Sequence, residues 1–304
     1  MFKKPFSLFI LLGSLLLVVP IFAQELPAEQ DAYRTDIENA FDATLALNTF
    51  KLGGEQNLTQ RVTVSGETLD QTVVQRVNGA FINPLATYMV IEQELVQRTN
   101  GFDTEVSLTQ ELLQLEEDLY LQFSDIRPRS IASLYPDHWV LFEDAVDDYD
   151  ALAVINVEQF LRLLDAQSVA NPFSAIDIFS EIEQLEDVTP DEQVLTMYRA
   201  TFDGERMFTD DYLDEAISIL NLDAFGIDGE SMSLEINEST ISCIYGIGTD
   251  DGYIHTVACL IDMTITFDGA AFGVTDDIEL VQQLETNFSY YDFNVDNKLP
   301  DPST

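Results

Sequence analysis

The sequence predicts an α+β domain, a large curved antiparallel sheet (a half-barrel) with helices packed on its concave face. Three observations predict it. Apolar and polar residues alternate over much of the chain, a few segments carry apolar residues at helical spacing, and turn chemistry separates neighbouring strand candidates.

The chain opens with Lys3 and Lys4, an apolar run from Phe6 to Phe22, and the small residue Ala23 before polar Gln24 and Glu25. Charge, apolar stretch and small residue in that order form the export pattern, so residues 1–23 read as a cleavable signal peptide. The mature chain is then expected outside the cytoplasm, secreted or in the periplasm or cell envelope. It has no second apolar stretch long enough to span a bilayer. No Cys near the cleavage point offers a site for acylation.

Residues 24–296 read as one α+β domain, with 297–304 as a frayed tail rich in Pro and Asp. Glu25–Asn48 has Tyr33, Ile37, Ala40, Phe41 and Leu45 at helical spacing. From Phe50 the period changes to two. Leu58, Val62 and Val64 alternate with Asn57, Arg61 and Thr63, and Val73–Gly79 and Tyr88–Arg98 are further strand candidates. Asn100-Gly101 is a strong hairpin signal, followed by Val106, Leu108 and Leu112 in alternation. Leu119–Phe123 and Trp139–Phe142 complete an expected meander, each strand with one wet face and one dry face.

A helical block is expected next. Asn156 caps a stripe of Val157, Phe160, Leu161 and Leu164. Ser174 precedes a second stripe of Phe179, Ile182 and Leu185, and Thr209 to Asp211 open a third with Leu213, Ala216, Ile217 and Leu220. A strand is expected at Val194–Phe202. Met232, Leu234 and Ile236 alternate, and a last strand carries Ile278, Leu280, Leu284, Phe288 and Tyr290 on one face.

The two cysteines are the most specific local feature. Ser239–Gly248 and Tyr253–Phe267 flank a turn sequence and read as a hairpin. With Asp250-Asp251-Gly252 as a three-residue loop and Gly252 left-handed, Thr249 faces Tyr253, Ile247 faces His255, Tyr245 faces Val257 and Cys243 faces Cys259. Directly opposed residues fall within disulfide range, and export supplies the oxidising compartment. A Cys243–Cys259 disulfide is therefore expected. Free buried thiols are the alternative, since two Cys and one nearby His are too few for a zinc site.

Composition excludes some partners. The chain holds 55 acidic and 13 basic residues, and without Lys3 and Lys4 the lysines are Lys51 and Lys298 alone. Nucleic acid needs Lys and Arg at its phosphates, so it is not an expected partner. The carboxylates fit a solvated, self-repelling surface, adaptation to saline surroundings, or Ca²⁺ uptake. For Ca²⁺, Asp144, Asp147, Asp148 and Asp150 share one expected loop, and Asp210, Asp211, Asp214 and Glu215 lie in another segment. Neither has the spacing of a helix-loop-helix Ca²⁺ site, and no metal site is assigned. The sequence carries no Gly-x-Ser-x-Gly elbow and no Gly-rich phosphate loop, and no cofactor is expected. His138 and His255, the two histidines, read as structural, and the protein as a non-enzyme.

The order of exported helix, long meander, helices, late hairpin and terminal strand resembles the LolA/LppX-type lipid and lipoprotein carriers of bacterial envelopes. Thr49-Phe50-Lys51-Leu52, Asp118-Leu119-Tyr120-Leu121 and Asp137-His138-Trp139-Val140 are similar to elements of that group. The resemblance implies a half-barrel wrapped around helices and enclosing a hydrophobic cavity, with lipid or another apolar small molecule as partner. Phe160, Leu164, Phe179, Ile182, Leu213, Ile217 and Leu220 would then be cavity-lining candidates. The chain lacks the acylated Cys of the mycobacterial members. The competing expectation is a secreted surface protein with a filled core that binds proteins or polysaccharide, with Ca²⁺ as a further option.

Overall fold

Alternation of side chains dictates most of what forms. The computed structural model describes residues 28–82, 86–99, 102–116, 118–149, 179–190, 193–202, 234–272 and 274–302. On the N-terminal side, β1 (Thr49–Val64), β2 (Glu67–Ile82), β3 (Ala86–Thr99), β4 (Phe102–Leu115), β5 (Asp118–Arg127) and the two-residue β6 (Val140–Leu141) run back and forth. On the C-terminal side, β7 (Phe179–Gln184), β8 (Leu195–Phe202), β9 (Leu234–Gly248), β10 (Ile254–Phe267) and β11 (Ile278–Tyr291) do the same.

Among the described residues these strands form one antiparallel sheet, in the order β6-β5-β4-β3-β2-β1-β11-β10-β9-β8-β7. The first and last long strands meet in its middle, from Lys51 opposite Tyr291 to Val64 opposite Ile278. β6 and β7 are the two ends, so the sheet is open.

Short turns set the register. Ser65 and Gly66 both take positive φ (51° and 82°) between Val64 and Glu67, which pair across the two-residue loop. That conformation matches the right-handed twist of the flanking strands. Thr99 pairs with Phe102, as the hairpin signal at residues 100 and 101 predicts.

Helix α1 (Ala28–Leu45) starts with Glu29 and Asp31, whose charges suit the helix N-terminus. Its expected stripe is its buried face, with Ile37, Ala40 and Phe41 almost wholly removed from water. Phe41 meets Tyr245 edge-on at 5.8 Å between centroids, and Tyr33 meets Tyr198 at 5.4 Å. The Tyr198 hydroxyl donates to Asp36 (3.0 Å), and the Thr44 hydroxyl accepts from the Ile254 N–H (2.9 Å). These contacts lay α1 across β7 to β10. A short helix, α2 (Phe142–Asp148), buries Phe142 and Ala145 against Met89, Leu112 and Leu121 at the other end of the sheet.

Register places both helices on one face. Tyr245, Val257, Phe288 and Gly54 stand side by side across β9, β10, β11 and β1, and Val77, Ile91, Gln110 and Phe123 continue the row through β2 to β5. A Cβ on Gly54 would lie 2.3 Å from the Asn287 carbonyl oxygen and 2.4 Å from the Phe288 ring, so a larger residue would force the β11 backbone to shift.

Three expectations are corrected. Phe179, Ile182 and Leu185 are not a helical stripe, because Phe179–Gln184 is the edge strand β7. There Ile182 is buried between exposed Glu181 and Glu183, an alternation that a spacing of three conceals. Of Trp139–Phe142 only Val140 and Leu141 pair as strand, and Phe142 begins α2. Asp144 and Asp148 therefore lie on a helix rather than in a loop, with Asp144 in the dipole-favoured first turn. Leu234 and Ile236 of the expected alternation lie on one strand with Ser239–Gly248, β9, and Met232 lies outside the described residues.

The segment after β11 is held along its first residues. Thr49 accepts the Asn294 N–H through its carbonyl, and the Asn297 amide donates to the carbonyls of Phe50 (3.2 Å) and Phe81 (3.3 Å).

Candidate ligand-binding face

The cysteine hairpin shows how the sheet controls register. Cys243 and Cys259 are directly opposed and joined as a disulfide, with Cα atoms 4.1 Å apart. Tyr245 faces Val257 as expected. Near the turn, however, Ile247 faces Ile254, not His255. The Gly248 N–H donates to the Tyr253 carbonyl, which makes the loop four residues long, with Gly252 at φ +72°. An irregularity between Ile254 and Thr256 absorbs the extra residue at His255, so the sulfurs stay aligned. The displaced His255 ring has Nε2 3.0 Å from Asp251 Oδ2 and 2.8 Å from Gln193 Nε2, and rests edge-on against Phe293. His138 is an exposed partner of Asp137. No nucleophile adjoins either ring among these contacts.

The face shared by α1 and α2 has a chemistry of its own on β11, β1, β2, β3 and β4. Its residues are every second one from Phe50 to Val64, Leu69 to Phe81, Thr87 to Thr99, Phe102 to Gln114 and Ile278 to Tyr290, and none of them is Asp, Glu, Lys or Arg. The charges sit in the opposite phase, as in the exposed pairs Arg61–Asp70, Arg76–Glu55 and Arg98–Asp103. β11 shows the division most sharply, alternating buried and exposed from end to end.

On this uncharged face, apolar and polar rows run across the strands. Leu95, Val73, Leu58, Leu284, Ile261 and Ile241 form one apolar row. Flanking it on one side are Gln97, Gln71, Gln60 and Gln282, ending at Met263. On the other side are Gln93, Gln75, Gln56 and Thr286, ending at the disulfide. Four residues separate the two polar rows along a strand, about 13 Å.

Gln60, Gln71 and Gln282 are no more than 2 % exposed. The Gln60 amide donates to Gln282 Oε1 (2.9 Å), which leaves Gln60 Oε1, Gln282 Nε2 and both polar atoms of Gln71 without a hydrogen-bond partner. Thr286 Oγ1 is buried and unpartnered too. Each such group costs about 1–3 kcal/mol when dry. A Leu at the same places would cost nothing of the kind. Burial also pushes the Tyr245 and Tyr290 phenols up, so they stay neutral on this face.

Of the cavity-lining candidates, Ile182 is buried on β7 and Phe179 lies on the same strand. Phe160, Leu164, Leu213, Ile217 and Leu220 lie outside the described residues, as do residues 1–23. The glutamine rows were missed by sequence reading, which assigned polar residues to the wet face. Their signal was phase: Gln60 shares the parity of Leu58 and Val62, Gln71 that of Leu69 and Val73, and Gln282 that of Leu280 and Leu284. Among the described residues no three His, Cys, Asp or Glu are grouped to hold a metal ion, and no helix is long and apolar enough to cross a membrane.

Fold and face together define a wide, open antiparallel sheet with helices on its one uncharged side. No family model matches the sequence, and no curated protein matches it. Similar solved structures include the lipoprotein LppX of Mycobacterium tuberculosis, at 12% identity and TM-score 0.38 over 89% of this chain and 99% of that one. LprF of Mycobacterium bovis is similar at 12% identity and TM-score 0.34, over 90% and 97%. A putative outer membrane lipoprotein-sorting protein domain from Vibrio parahaemolyticus is similar at 8% identity and TM-score 0.22, over 89% and 93%.

Proposed function

We propose that this protein is an exported, non-enzymatic carrier or binding protein for an apolar ligand, a lipid or other acyl-chain molecule, held between the sheet and its helices. The observation that carries this reading is the uncharged face of β11 and β1 to β4. It is wider than a single helix, which spans about 10 Å with side chains, against about 4.8 Å per strand. Among the described residues, α1 meets β7 to β10 at one end of that face and α2 meets β5 and its neighbours at the other. Acyl chains would lie along the apolar row between them, burying about 0.8 kcal/mol per methylene. The acidic opposite surface, facing water, would keep such a carrier soluble and off anionic membranes.

The experiment is lipid extraction and native mass spectrometry of protein purified without detergent, with titration of a fluorescent fatty acid. The reading expects co-purified lipid or saturable binding of the probe. Protein that carries no lipid and ignores the probe would remove it, and would favour the surface-protein alternative with a filled core.

A further inference from the structure

We infer that Gln60, Gln71 and Gln282 form a polar subsite for a neutral hydroxyl borne on the ligand's acyl chain. The inference rests on the carrier reading and adds to it the chemical class of the ligand. Three adjacent strands place an amide at the same level of an otherwise apolar face, and one hydrogen bond joins two of the three. Two acceptor oxygens and two donor nitrogens remain unmet, with almost no exposure to water. A plain hydrocarbon would leave all four unmet. A carboxylate or phosphate would bring a charge to a face without Lys or Arg, where desolvation is not repaid. A hydroxyl both donates and accepts, so it can donate to Gln71 Oε1 or Gln60 Oε1 while accepting from the Gln71 or Gln282 amide N–H.

The row also lies well inside the sheet. Gln60 is four residues from Val64 at the end of β1, about 13 Å along the strand. The group it recognises therefore sits partway along a chain that continues against Leu58, Val73 and Leu284 on one side and Val62, Leu69 and Leu280 on the other.

The test measures binding of methyl stearate and of methyl esters hydroxylated near the ester, at mid-chain and near the tail. Wild-type protein should bind at least one hydroxylated ester about tenfold more tightly than methyl stearate, the value of about one well-made hydrogen bond in a dry site. Gln71→Leu should bring that ratio to about one by weakening the hydroxylated esters; if Gln71→Leu fails to fold, Gln71→Met keeps the length of the side chain and should do the same. Equal binding of all esters by wild type, or a preference that survives in the variant, overturns the inference and leaves the carrier reading standing. Binding of no ester overturns both.

Discussion

The two sides of the sheet are built differently. On the β7–β11 side the shared face is closed by α1 and pinned by covalent and aromatic contacts, including Phe41 on Tyr245 and the Cys243–Cys259 bridge. β10 and β11 bury nearly every second residue there. On the β1–β4 side the same face carries most of the glutamines, and many of its residues on β3 and β4, such as Ile91, Val106 and Leu108, are only half-buried. One side is a framework. The other mixes buried amides with half-buried apolar side chains.

The comparison can be broken most easily at the framework. Phe41→Ala should cost about 3–5 kcal/mol, read by denaturant unfolding, because α1 loses its anchor on Tyr245 and a cavity is left behind. A loss below about 1 kcal/mol would mean that α1 does not hold this half together. Replacing Cys243 and Cys259 together by Ala should cost about 3 kcal/mol, from the 16-residue separation that the bridge closes. Wild-type protein in reductant should show the same shift.

Gln71→Leu should move stability the other way. Removing a buried amide with two unmet atoms should raise unfolding stability of the ligand-free protein by about 1 kcal/mol. A loss of that size would show that Gln71 has a partner and that this half is framework too.

The smallest effect concerns the β3–β4 hairpin. There the Arg98 guanidinium, hydrogen-bonded to Asp103, holds the Asp103 carboxyl below the usual carboxylate range. A depressed carboxylate stabilises the fold above its ordinary value of about 3.9 and loses that contribution as pH falls through the depressed one. Asp103→Asn should therefore lower the melting temperature slightly at neutral pH. The difference from wild type should vanish in acid, as melting curves from neutral pH downward would show.

Much of the framework was legible because local rules and tertiary packing agree there. The α1 stripe, the alternation of β11 and the cysteine register all follow from period and turn chemistry. The register was correct beyond the turn although the loop holds one residue more than expected, because the irregularity at His255 cancels the difference. Edge strand β7 was misread because Phe179, Ile182 and Leu185 fall at a spacing of three, which conceals the short alternation Glu181-Ile182-Glu183 used in its pairing with the next strand, β8. The glutamine rows escaped for the opposite reason. Their alternation is plain, but a rule that sends polar residues to the wet face leaves no place for an amide in the dry phase. Only the pairing of β1 with β11, more than 200 residues apart in sequence, brings Gln60 beside Gln282.

Hydrogen exchange followed by mass spectrometry, with and without a bound fatty acid, tests the central claim most directly. If the uncharged face of β11 and β1 to β4 holds the ligand, peptides from β11 and β1 to β4 should gain protection on binding, while those from β7 to β9 change little. Protection that is unchanged throughout, or gained only in β7 to β9, would contradict it.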